Sequence, residues 1–110
     1  MRAVLIAALA ASLATTALAA PVRASGVDRG AQVAARDCAS CHAIGPTGAS
    51  HNGAAPPFRR IAVRYNPISL ERALTRIAQQ GHFEMPRHAF SETDAADLAA
   101  YIQDLGRAKP

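Results

Sequence analysis

The sequence predicts a small all-α domain, and three observations carry that prediction. Apolar residues recur at helical spacing in several segments, most clearly after Ser91. No stretch alternates apolar and polar residues long enough to make a credible strand. Gly, Pro, Ser, Thr and Asn crowd the run from Ala43 to Pro57, so one long loop interrupts the helices.

The elements follow in order. A first helix is expected from Val27 to about Asp37, capped by Ser25 or Asp28, with Val33 and Ala34 facing inward and Ala31 nearby. Asn52-Gly53 marks a turn within the loop that follows. Phe58 to Arg64 reads as a short helix presenting Phe58, Ile61 and Ala62, and Asn66-Pro67 breaks the chain after it. A third helix, roughly Ser69 to Gln79, sets Leu70, Leu74, Ile77 and Ala78 at helical spacing and ends at Gly81. Gly81 to Phe90 is irregular. The last helix opens on Ser91, with Asp94 in capping-box position. Its inward stripe is Ala95, Leu98, Tyr101, Ile102 and Leu105, and Gly106 is expected to end it.

Cys38-Ala39-Ser40-Cys41-His42 carries the chemistry. Two thiols three residues apart, followed at once by an imidazole, form the attachment pattern for a c-type haem. On a helical turn, positions i, i+3 and i+4 share a face. Each thiol can then form a thioether with one haem vinyl group, and the imidazole falls beneath the iron. Other readings fit less well. A structural zinc site needs four ligands, and this chain has only these two cysteines, with its other histidines standing alone. A thioredoxin-like pair belongs beside a βαβ pattern. A disulfide between Cys38 and Cys41 closes too small a loop to stabilise much and leaves His42 unexplained.

The N-terminal segment has the form of a secretory leader. Arg2 precedes an apolar run from Ala3 to Leu9, and Ala17-Leu18-Ala19 has the small-x-small form of a cleavage site. A signal peptide over 1–19 and a mature domain over 20–110 are expected, in the periplasm. An uncleaved anchor is the alternative, since no charge falls between Arg2 and Arg23. The run is mostly Ala, Ser and Thr, which favours cleavage, and no later segment is apolar enough to cross a membrane. Export would leave free thiols prone to oxidation, and two thioethers would consume both.

About ninety residues then remain, with nearly half of the apolar ones alanine and no Trp. Domains of this size are marginal without help, and a buried haem would supply the missing core. Eleven Lys and Arg against eight Asp and Glu give a net charge of about +3. The basic residues are dispersed and match no nucleic-acid-binding motif. Arg59, Arg60, Arg64, Arg72 and Arg76 lie close together in sequence. They are solvated by default, though a guanidinium can pair bidentately with a haem propionate. Tyr65 with Arg60 or Arg64 are the candidates for that contact.

With these residues in view, the chain resembles the class I c-type cytochromes, small monohaem proteins, over essentially all of 20–110. Gly30, eight residues before Cys38, matches that family's helix-crossing glycine, and Tyr101 matches the aromatic of the same crossing. Ala55-Pro56-Pro57-Phe58 resembles its Gly-Pro-x-Leu segment, and Met85-Pro86 resembles its sixth-ligand loop. Ala34 departs from the pattern, standing where many members carry a bulky residue. The resemblance implies the small cytochrome c fold, with N- and C-terminal helices crossing and loops and short helices wrapped around one haem. It also implies that Pro56 C=O accepts a hydrogen bond from the proximal imidazole.

Met85 is the only methionine beyond Met1. A thioether opposite His42 would close the iron site and raise the reduction potential, and Pro86 keeps Met85 out of helical conformation. His82 and His88 are rival ligands that would give bis-histidine iron at lower potential, and His51 is expected on a surface loop. Phe58, Phe83 and Phe90 are expected pocket walls. The expected function is one-electron transfer between redox proteins, by a monomer or a small complex subunit and not by an enzyme. Alternatives are a haem subunit fixed in a larger dehydrogenase or oxidase, and a haem sensor or enzyme with a labile sixth ligand.

Overall fold

The computed structural model describes residues 17–20 and 24–108. Residues 1–16 of the expected leader lie outside the described residues, and Ala17-Leu18-Ala19 is irregular and exposed. Four helices follow: α1 Gly26–Asp37, α2 Phe58–Ala62, α3 Pro67–Gln80 and α4 Glu92–Arg107. Among the described residues there is no strand, only an isolated bridge between His82 and Met85. No helix among them is long and apolar enough to cross a membrane. The fold is all-α, as expected.

Local sequence sets the starts of α1 and α4. Ser25 and Ser91 each accept from the backbone N–H three residues on, while Asp28 and Asp94 reach back to the cap N–H. Two reciprocal capping boxes therefore satisfy donors that the helices leave unpaired. The Asp28 carboxyl is held below its ordinary 3.8, chiefly by the Ser25 hydroxyl and then by its backbone N–H. That contribution is present above pH 3.8 and is lost as the pH falls through the lower folded value. Ser25→Ala should cost about 1 kcal/mol at neutral pH. The gap from wild type, read from urea midpoints, should narrow in acid. An unchanged gap at pH 3 would remove Asp28 from this role.

Three boundaries differ from expectation. Asn66-Pro67 starts α3 instead of breaking the chain before it. Asn66 Oδ1 accepts from Ser69 N at 2.9 Å, and Pro67 takes the first helical position, where its missing N–H costs nothing. α2 stops at Ala62 rather than Arg64. α4 runs through Gly106 to Arg107. A Cβ on Gly106 would lie 2.9 Å from Ala62 Cβ, so this glycine gives room to α2 rather than ending a helix.

α4 is the hub and packs against each of the other helices, while α1 touches neither α2 nor α3. Leu98 and Ile102 are fully buried along it, each contributing roughly 1.5–3 kcal/mol by burial. Ala95, Ala99 and the inward α1 residues Val33 and Ala34 complete that contact. The α1–α4 crossing is close at Gly30, where a Cβ would sit 2.0 Å from Asp97 O. Small Ala34, fully buried, suits the same tight crossing. Arg29 clamps it from the side, with Nε 2.7 Å and Nη2 3.1 Å from the two Asp97 carboxylate oxygens.

Candidate cofactor site

α1 delivers the motif directly. Its last turn ends at Cys38, whose N–H donates to Ala34 O at 2.9 Å. The next turn closes when His42 N donates to Cys38 O at 2.9 Å and Cys41 N to the same oxygen at 3.2 Å. Cys38, Cys41 and His42 consequently line one cavity. Burial pushes the Cys38 thiol up to about 11, with the Asp37 carboxylate adding to the effect. A thiol buried in this way gives up its proton less readily than a free one. Among the described residues no three His, Cys, Asp or Glu side chains gather as a cation site requires.

The loop 43–57 is pinned at several points and sets the imidazole. Ala43 N donates to Ser50 Oγ at 2.9 Å, Asn52 N to Cys41 O at 3.0 Å, and Phe58 N to Ala43 O at 2.9 Å. Tyr101 reaches from α4 and donates its hydroxyl to Ile44 O at 2.6 Å. With the loop so held, His42 Nδ1 lies 2.7 Å from Pro56 O. A proline carbonyl only accepts, so Nδ1 carries the proton and Nε2 is the nitrogen left for a metal. The Phe58 ring stands beside the imidazole, with centroids 5.3 Å apart.

The facing wall comes from α3, α4 and the 81–90 loop. Leu70, Leu74, Ile77, Phe90, Leu98 and Ile102 make it apolar. Met85 lines the same cavity, half-buried, in a tight turn where His82 N donates to Met85 O at 3.0 Å and Met85 N to His82 O at 2.7 Å. Gly81 opens that turn at φ +74, and a Cβ there would meet Met85 O at 2.7 Å. A residue with a side chain is excluded on both counts.

The expected site residues Cys38, Cys41, His42, Pro56, Phe58 and Met85 thus meet at one cavity. His82 and His88 also line it, and His51 is exposed on the loop. Arg64 and Tyr65 are at its edge, whereas Arg60 points to solvent elsewhere. Phe83 corrects an expectation. It lines the mouth but is 95 % exposed at φ +47, so it is a rim residue and not a buried wall.

The cavity, about 580 Å³, has the size and lining of a cofactor pocket. Its apolar walls suit a porphyrin plate, its two thiols suit vinyl groups, and an imidazole and a thioether suit iron. Arg59, next to Phe58, has a buried Nη1 with no hydrogen-bond partner among the described residues, but it does not line the cavity. Nothing in the sequence set Arg59 apart from its neighbouring arginines.

Comparisons with known proteins agree with this chemistry. The family model for cytochrome c matches residues 27–106. The chain is 35% identical over 82 residues to cytochrome c-552 of Bradyrhizobium diazoefficiens, covering 74% of this chain and 77% of that protein. No solved structure matches at the same stringency.

Proposed function

The chain belongs to the cytochrome c family, and we propose that it is an exported one-electron carrier with iron held by His42 and Met85. Family membership implies a covalently bound haem c and redox partners, and the Cys38–Cys41 spacing is compatible with that attachment. Haem c, when bound, supplies a reversible one-electron couple. The residues of the chain do the rest. Cys38 and Cys41 tether the group, and Pro56 fixes the His42 ring through Nδ1–H. Met85 offers a thioether, whose presence as a ligand favours the reduced state. Phe58, Leu70, Leu74 and Leu98 keep water from the pocket interior, which limits solvent reorganisation on electron transfer. No bond in a substrate is made or broken, so the protein is a carrier and not an enzyme. In this reading a leader over 1–19 is removed, and the domain over 20–110 works in the periplasm.

The observation that supports the ligand assignment is the convergence of Cys38, Cys41, a carbonyl-oriented His42 and Met85 on one apolar cavity. An optical and potentiometric titration of the purified mature protein tests it. Expected are a reversible one-electron couple in the His/Met range and a sulfur-to-iron charge-transfer band in the ferric form. Because His82 and His88 share the cavity, a low potential without that band would assign bis-histidine iron instead. Met85→Ala should lower the potential by on the order of 0.1–0.3 V, within the ~0.8 V that axial ligands span. It should also let the ferrous form bind carbon monoxide. An unchanged potential with no new ligand binding would remove Met85 from its role.

A further inference from the structure

We propose that Asn52 and Gly53 form a self-modifying charge switch, in which the Gly53 nitrogen attacks the Asn52 side-chain amide and a neutral residue beside the cofactor cavity becomes a carboxylate. The modification stands on the loop alone, and its effect on the potential rests on the carrier reading above. In the first step Gly53 N loses its proton to hydroxide and bonds to Asn52 Cγ. The Cγ–Nδ2 bond breaks, and Nδ2 takes a proton from water and leaves as ammonia, which regenerates the hydroxide. Water then opens the cyclic imide at either carbonyl, giving aspartate or isoaspartate. Nothing is oxidised or reduced, and water is the only co-reactant.

Three features of the loop favour that attack. Asn52 Oδ1 accepts from Ala54 N at 2.9 Å, which folds the side-chain amide back across the Gly53 peptide. The same N–H would stabilise negative charge on Oδ1 as the new bond forms. Gly53 N donates to no acceptor among the described residues, so no hydrogen bond must break to free it. Gly53 is also exposed, and even an added Cβ there would meet nothing within 4 Å, so solvent base reaches the nitrogen unhindered. The bonds that pin Asn52 use its main chain instead: its N donates to Cys41 O and its O accepts from Ala55 N, each at 3.0 Å. Asn66 is the internal contrast. Its Oδ1 also accepts a backbone N–H, from Ser69, but the next residue is Pro67, whose nitrogen has no proton to lose.

The product matters because of where it forms. Asn52 is half-buried and lines the cavity with Cys41 and His42. Asp37 and Glu84 are the carboxylates already lining that cavity, against Arg64. A further carboxylate there adds negative charge, which favours the more positive, oxidised iron and lowers the potential. Partial burial keeps salt from screening it fully. Isoaspartate does more, because it routes the main chain through the former side chain and lengthens the backbone by one carbon. The contacts with Cys41 O and Ala55 N flank that insertion, and Ala55 precedes Pro56, whose O orients His42. The step is one-way, so molecules of one sequence age into a second form of lower potential.

The test follows holoprotein through incubation in mildly alkaline buffer. Peptide mapping by mass spectrometry should show Asn52 gaining the mass difference between an amide and an acid, as aspartate and isoaspartate, while Asn66 stays unchanged. Gly53→Ala should slow conversion at least several-fold, because its methyl crowds the nitrogen and narrows the backbone's conformations. Potentiometry should give converted protein and Asn52→Asp lower midpoint potentials than fresh wild type, by a shift that shrinks as salt is raised. Asn52→Gln, neutral and slow to cyclise, should hold its potential through the same incubation. Asn52 still intact when a free peptide of residues 48–56 has fully converted would overturn the modification. Converted protein and Asn52→Asp both at the wild-type potential would overturn the switch and leave the carrier standing. Conversion in a protein with no reversible couple in solution would overturn the carrier and leave the modification standing.

Discussion

Replacing Cys38 and Cys41 together by serine is expected to abolish covalently bound haem in protein made by a host equipped for cytochrome maturation. Wild type should keep its colour through denaturation and acidified organic extraction, and the double variant should lose it entirely. The reasoning is chemical: serine hydroxyls form no thioethers, and the chain has no other thiol. His42 would still be present, with its ring oriented by Pro56 O, so some haem could bind reversibly. Binding would then be bimolecular, without the effective concentration that a tether provides. The fold should weaken too. A cavity of about 580 Å³ walled by Leu70, Leu74, Leu98 and Ile102 is a large void for a domain this small. Each single variant keeps one tether and should retain haem through extraction. Haem still covalently attached in the double variant would contradict the motif assignment.

What could be read in the sequence was what local chemistry decides. Ser25 with Asp28 and Ser91 with Asp94 mark helix starts because a cap and its partner lie three residues apart. Cys38, Cys41 and His42 share a cavity because one turn of backbone places them there. The α4 stripe was legible as well, since Ala95, Leu98 and Ile102 are buried with Tyr101 and Leu105 packed against them. Features set by distant partners were not legible. Asp97 is buried through its pairing with Arg29, 68 residues away, and nothing near it signals that contact. Gly106 reads as a helix stop when only its neighbours are considered, and as a close approach once Ala62 is seen. Asn66-Pro67 reads as a chain break when only the dipeptide is considered, and as a helix start once Asn66 is seen capping Ser69 N. Phe83 looks like core by composition, and only the path of the 81–90 loop puts it outside. Arg59 differs from Arg60 only in burial.

Gly30→Ala should be the most destabilising single-methyl change in the domain, costing about 3 kcal/mol or more, at the upper end of overpacking effects. The added Cβ would lie 2.0 Å from Asp97 O, 2.6 Å from Asp97 C and 2.7 Å from Tyr101 Cβ. The first two are backbone atoms inside α4 and cannot swing aside as a flexible side chain could. α1 and α4 must separate instead. Separation would strain the Arg29–Asp97 ion pair and loosen Val33 and Ala34 against Leu98 and Ile102. It would also move Cys38, which ends α1 and carries the first tether, away from the α4 side chains that wall the same cavity. Stability and ligation should therefore fail together, with a lower denaturant midpoint and a weaker sulfur-to-iron band in the folded fraction. Gly53→Ala is the matching control. Its Cβ would meet nothing within 4 Å, and its φ is not positive, so the change should stay within about 0.5 kcal/mol. Equal midpoints for the two variants would mean that the crossing does not depend on contact at Gly30. The register that places Cys38 at the cavity would then have to come from the 43–57 loop, through His42, Pro56 and Tyr101, rather than from the helix pair.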